Sequence, residues 1–73
     1  MLINPGRAML IRSVEKFLRA HEVSATAFGR LAAKDPRFVM DLRNGREPRA
    51  QTEARIVGFM AGYQAARENA GAA

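Results

Sequence analysis

The chain has no cysteine and only one histidine in 73 residues. Without thiols there is no disulfide framework and no thiolate metal site. A single imidazole is too few for a histidine-based zinc centre. No apolar run approaches the roughly 20 residues of a membrane-spanning helix, and the N-terminus carries no long apolar segment. A soluble, cytoplasmic protein with no membrane partner is therefore expected. No Gly-rich phosphate loop follows a strand-like run. No carboxylate pair stands in a pocket-forming context, and catalytic nucleophile–base sets are missing. The expectation is that the chain is not an enzyme, takes no cofactor, carries no effector domain and binds no small-molecule ligand. Strand-like alternation and internal repeats are also missing.

Acidic residues are in the minority. Twelve Lys and Arg oppose seven Asp and Glu, for a formal net charge of +5. Ten of the twelve are Arg, and only Lys16 and Lys34 are Lys. Arginine favours bidentate contacts to phosphates and base edges over simple point-charge attraction. The excess is mild, with seven basic against four acidic residues between Arg30 and Arg55, so charge supports nucleic-acid binding without establishing it. The length bounds the chain to one domain with a modest core, for which a partner subunit would be a stabilising addition.

The apolar spacing predicts an all-α fold. Asn4-Pro5 starts the first helix, with Asn4 as its cap. Leu10, Val14, Phe17 and Leu18 follow at core-facing spacing, widened by Ile11, and the helix ends near Ala20-His21. Ser24 caps a second helix from Ala25 to about Ala33, with Phe28, Leu31 and Ala32 on one face. Lys34 sits in the break. Asp35-Pro36 begins a third helix, since Asp supplies a capping oxygen and Pro loses no useful N–H at the first helical position. Phe38, Val39 and Leu42 form its apolar face, and Asn44-Gly45 ends it with a left-handed glycine. A fourth helix runs from Ala50 to about Arg67 with Ile56, Phe59, Met60 and Tyr63 on one face. Residues 1–67 form the domain, and Glu68 to Ala73 is read as a frayed tail.

The most informative stretch is 24–49, SATAFGRLAAKDPRFVMDLRNGREPR. A short break between two short helices suits the bent pair of a DNA-binding motif. Gly29 lies midway along the first helix of the pair. Val39 and Leu42 are apolar in the second, and Asn44-Gly45-Arg46-Glu47-Pro48 follows it. The next helix carries Thr-x-Ala-Arg-Ile at Thr52 to Ile56. From about Val14 to Met60 the chain thereby resembles the lambda-repressor-like helix-turn-helix family of phage and bacterial regulators. Two positions depart from that pattern. Ala33 stands where the turn usually has Gly, which leaves the shape of the turn open. Ala25 stands where Gln is often found, which removes one familiar phosphate contact.

The resemblance implies a compact four-helix domain with helices two and three as the helix-turn-helix. The implied function is sequence-specific binding of double-stranded DNA by a small transcriptional regulator, a repressor acting by occlusion. One recognition helix reads few base pairs, so a homodimer on a pseudo-palindromic site is expected. A protein-interaction adaptor or an antitoxin on the same fold is the alternative.

Pro36, Arg37, Met40 and Asp41 are the candidate base-reading residues at the start of the recognition helix. Arg37 can donate a bidentate pair to guanine. Met40 can touch a thymine methyl. Asp41 can accept from cytosine N4, pair with Arg37, or remain a surface acid. Ser24, Thr26, Arg43, Asn44, Arg46 and Arg49 are the candidate phosphate contacts, which set affinity and register rather than sequence choice. Ser24 also reads as an ordinary cap and His21 as a C-terminal cap or surface residue. The four Phe sit at core spacing rather than as base-stacking groups. Gly58, Phe59, Gly62 and Tyr63 on the last helix are the candidate dimer surface, together with the apolar lead Met1 to Ile3.

Overall fold

Four helices follow one another along the chain: α1 (Pro5–His21), α2 (Ala25–Ala33), α3 (Phe38–Arg43) and α4 (Ala50–Ala72). This computed structural model describes the backbone of residues 5–72 and the side chains of residues 10–68. The expected Asn4 cap and the lead Met1 to Ile3 lie outside the described residues. Among the described residues there is no strand, and no helix is long and apolar enough to cross a membrane.

One core joins all four helices. Leu10, Val14, Phe17 and Leu18 come from α1, Phe28 and Ala32 from α2, Phe38, Val39 and Leu42 from α3, and Ile56 and Met60 from α4. Val14, Phe28, Val39 and Ile56 are fully enclosed. Removing one such side chain from water contributes about 1.5–3 kcal/mol. Ile11, Phe59 and Tyr63 pack partly buried around this core.

Leu31 corrects the sequence reading, because it is 65% exposed rather than part of the α2 core face. A helix turns about 100° per residue, so Gly29 and Ala32 lie on one side of Phe28 and Leu31 on the other. Gly29 is buried, because α3 approaches from its side.

The helix ends are set by local chemistry. Glu22 takes a left-handed φ of 54° after α1, and the Val23 N–H closes back to the Leu18 carbonyl at 3.0 Å, a Schellman closure. The Ser24 hydroxyl accepts the Ala27 N–H at 3.1 Å, which starts α2 as expected. At the far end of α2 the left-handed residue is Lys34, at φ 54° and ψ 32°. The Lys34 and Asp35 N–H groups converge on the Gly29 carbonyl, the latter at 3.0 Å.

α3 begins later than the sequence predicts. The Asp35 carboxylate accepts the Arg37 N–H at 3.0 Å, and its carbonyl accepts the Phe38 N–H at 3.1 Å. These bonds wind residues 35–38 into a tight turn, and the first α-type bond runs from Asp41 N–H to Arg37 carbonyl at 2.9 Å. Pro36 and Arg37 therefore belong to the turn that launches the helix. α4 starts at Ala50 as expected and continues past Arg67 to Ala72, through residues that include helix-favouring alanines.

His21, the last residue of α1, is half-buried rather than a free surface group. Its ring lies 4.5 Å from Phe17 and 4.9 Å from Tyr63, centroid to centroid. Phe17 also meets Phe28 at 5.4 Å and Tyr63 at 5.1 Å. This aromatic cluster fastens the end of α1 to the middle of α4, with rings in the tilted and edge-on arrangements that such pairs favour.

Candidate nucleic-acid interface

The α2–α3 pair is held by close backbone approach. A Cβ built on Gly29 would meet the Asp35 carbonyl oxygen at 2.2 Å. Only hydrogen fits there, so the turn between the helices lies directly against α2. The core side of α3 is Phe38, Val39 and Leu42, which leaves the opposite side outward. Arg37, Met40 and Asn44 are spaced to share that side, and all three are exposed, Met40 to 53%. Arg43 and Asp41 flank this row on either side.

The end of α3 is a full Schellman motif. The Arg46 N–H bonds the Asp41 carbonyl at 3.0 Å, and the Gly45 N–H bonds the Leu42 carbonyl at 3.1 Å. Gly45 has φ 95°, the left-handed conformation that glycine adopts without a Cβ penalty. Asn44 is the C-cap. Residues 46–49 then lead to α4, whose first bond runs from Glu53 N–H to Arg49 carbonyl at 2.9 Å.

Arg43 and Arg46 have acidic partners. Arg43 grips Glu15 of α1 in bidentate fashion, Nε to Oε2 at 2.6 Å and an Nη to Oε1 at 2.9 Å. Asp41 pairs with Arg46 at 3.0 Å, not with Arg37. Arg37 and Arg49 are exposed. A cleft of about 340 Å³ runs beside the site, lined by Phe38, Asp41, Arg46, Glu47, Pro48 and Arg49 among others.

The structure thus brings Pro36, Arg37, Met40, Asp41, Arg43, Asn44, Arg46 and Arg49 onto α3 and its two flanking turns. Ser24 and Thr26 stand at the start of α2, both exposed. Glu15 was missed by the sequence reading. It lies 28 positions before its partner, and no local pattern connects them.

The Arg43 hydrogen bonds hold the Glu15 carboxyl below its ordinary value of 4.5, against an opposing push from desolvation and with help from the Arg43 and Arg19 charges. A lowered folded pKa means the pair stabilises the fold fully above the unfolded value. That contribution is lost as pH falls through the folded value. Stability is therefore expected to decline below about pH 4.5 more steeply in the wild type than in Glu15→Gln. Urea unfolding at a series of pH values from neutral to 3 checks this, and parallel curves would show that the pair makes no difference. Both side chains are partly exposed, at 43% for Arg43 and 32% for Glu15, so the difference should be small.

The candidate dimer residues divide into two groups. Phe59 and Tyr63 pack against the chain's own aromatic cluster, with Phe59 5.6 Å from Phe28 and Tyr63 against Phe17 and His21. Gly58 and Gly62 are exposed, with nothing within 4 Å of where a Cβ would sit. Ala54, Ala61 and a half-exposed Val57 lie on the outer side with them.

No family model, curated protein or solved structure matches this chain.

Proposed function

We propose that this chain binds double-stranded DNA sequence-specifically, as a small transcriptional regulator that represses by occlusion. The observation that carries this reading is the α2–α3 pair. A glycine contact locks the two helices together, and α3 turns Arg37, Met40 and Asn44 outward while its other side is buried. A short helix presented in this way has the form of an element that enters a major groove. Arg37 at its leading end reads base edges, with Met40 beside it. Arg46 and Arg49 on the following loop meet phosphates, as do Ser24 and Thr26 at the amino end of α2. Arg49 also stands at the amino end of α4, where the helix dipole is positive and a phosphate is favoured.

One recognition helix covers only a few base pairs, so two copies act together on a pseudo-palindromic site. The exposed side of α4 around Gly58 and Gly62 is the surface through which they pair, because its small side chains allow close approach.

Salt dependence is the first test. The logarithm of affinity for duplex DNA should fall linearly with the logarithm of salt concentration, at about −0.9 per phosphate contact. Several contacts per subunit give a steep line, and a flat one rejects DNA binding in favour of a protein partner. Sedimentation equilibrium in the same buffers reads the assembly. A protein that stays monomeric at tens of micromolar, roughly the range of a weak dimer, and that occupies DNA as one copy rejects pairing alone.

A further inference from the structure

Asp41 is an acid in a surface assigned to a polyanion, and its place there needs a reason. It is joined to Arg46 twice. The Arg46 N–H bonds the Asp41 carbonyl at 3.0 Å, and the Arg46 guanidinium bonds the Asp41 carboxylate at 3.0 Å. The first bond is set by the left-handed turn at Gly45. In such a turn these two positions usually make an apolar contact, whereas here they make an ion pair. The exposures are unequal: the Arg46 side chain is 74% exposed and that of Asp41 is 34% exposed. Arg46 is therefore the more solvent-exposed partner of the pair.

We infer that Asp41 is a positioning residue that aims Arg46 at a DNA phosphate; the inference rests on the DNA-binding reading above. An arginine on a loop has a large set of rotamers to lose on binding. Asp41 removes much of that freedom in advance. It engages one of the five guanidinium N–H donors and leaves the others for a phosphate. The repulsion between Asp41 and the phosphate is screened by water and by the intervening cation. Positioning outweighs repulsion, so loss of the negative charge weakens binding to a polyanion. Simple electrostatics predicts the opposite sign. Asp41 in this role carries no base information, which separates it from an acceptor for cytosine N4.

Asp41→Asn is the deciding variant, measured on a random-sequence duplex pool and on a site selected from that pool. Affinity for both should fall by about five- to tenfold, the size of a charge-assisted contact weakened rather than removed. The salt slope should become shallower by up to about 0.9. In an Arg46→Ala background the same substitution should cause no loss, because nothing is left to aim. Unchanged or tighter binding by Asp41→Asn overturns the inference, as does a loss confined to one base pair of the selected site. If circular dichroism shows that Asp41→Asn is misfolded, Asp41→Ser is measured in its place, and a loss equal in both Arg46 backgrounds rejects positioning. Wild type that binds the pool while Asp41→Asn matches it defeats this inference alone. Wild type that fails to bind any duplex at low salt defeats the DNA-binding reading and this inference with it.

Discussion

Gly29→Ala is expected to destabilise the fold by about 3 kcal/mol or more. The added methyl would lie 2.2 Å from the Asp35 carbonyl oxygen, 3.2 Å from its carbon and 3.3 Å from the Pro36 carbonyl carbon. All three are backbone atoms, so no side-chain rotation relieves the clash. Overpacking where side chains can yield costs about 1–3 kcal/mol, and a rigid backbone neighbour places this case at or above that range. A chain of this length has about 4–11 kcal/mol of stability in total. The same methyl pushes on the turn that also bonds back to the Gly29 carbonyl, so α3 must move away from α2. DNA affinity should then fall by more than the folded fraction accounts for. Denaturant unfolding reads the first effect and titration of the folded protein reads the second. A loss under about 0.5 kcal/mol, within the usual surface range, would show that the turn yields freely and that the glycine contact does not position α3.

Arg37→Ala is expected to cost about 1–3 kcal/mol at the preferred site. Arg37 stands at the N-cap of α3, with its N–H fixed on Asp35, and its side chain is exposed on the outward row. On the proposed DNA-binding reading, a guanidinium there would donate to two acceptors on one guanine edge, so the loss should centre on one base pair. Selection from a random pool should show that position relaxed and the others kept. Arg49→Ala supplies the contrast, since a phosphate contact lowers affinity for all sequences by similar amounts. Equal losses on selected and random DNA for Arg37→Ala would remove it from the reading set.

Where the sequence reading held and where it broke has a physical pattern. Helix ends written in local chemistry were legible: Ser24 before α2, Gly45 after α3, and the start of α4 after Pro48 and Arg49. Periodicity found the core of α1 and α3, because those helices bury one clear stripe. It failed at Leu31, because the spacing from Phe28 says that two residues are near neighbours, not which flank faces the core. The start of α3 was placed early because Asp-Pro signals a helix start without distinguishing a launching turn from a first helical turn. Arg43 was legible as a basic residue at the end of α3, but its grip on Glu15 depends on how α1 lies across α3. His21 likewise became part of an aromatic cluster only through the tertiary meeting of α1 and α4. Asp41 had three open roles in the sequence, and the turn at Gly45 brought Arg46 back onto it.

α4 has one further property. Up to Tyr63 it supplies Ile56 and Met60 to the core, and Phe59 and Tyr63 to the aromatic edge, but residues 64–68 are all exposed. The Arg67 guanidinium, 5.9 Å from the Tyr63 ring centroid, is a weak tether at this boundary. Over residues 64–68 the exposed helix rests chiefly on its own hydrogen bonds and helix propensity, and short helical stretches without packing are marginal in water. Opening free energy is therefore expected to decline along α4 from the buried Ile56 towards the exposed residues 64–68. Amide protons around Ile56 and those of residues 64–68 are therefore expected to exchange with solvent by different routes: global unfolding for the first and local opening for the second.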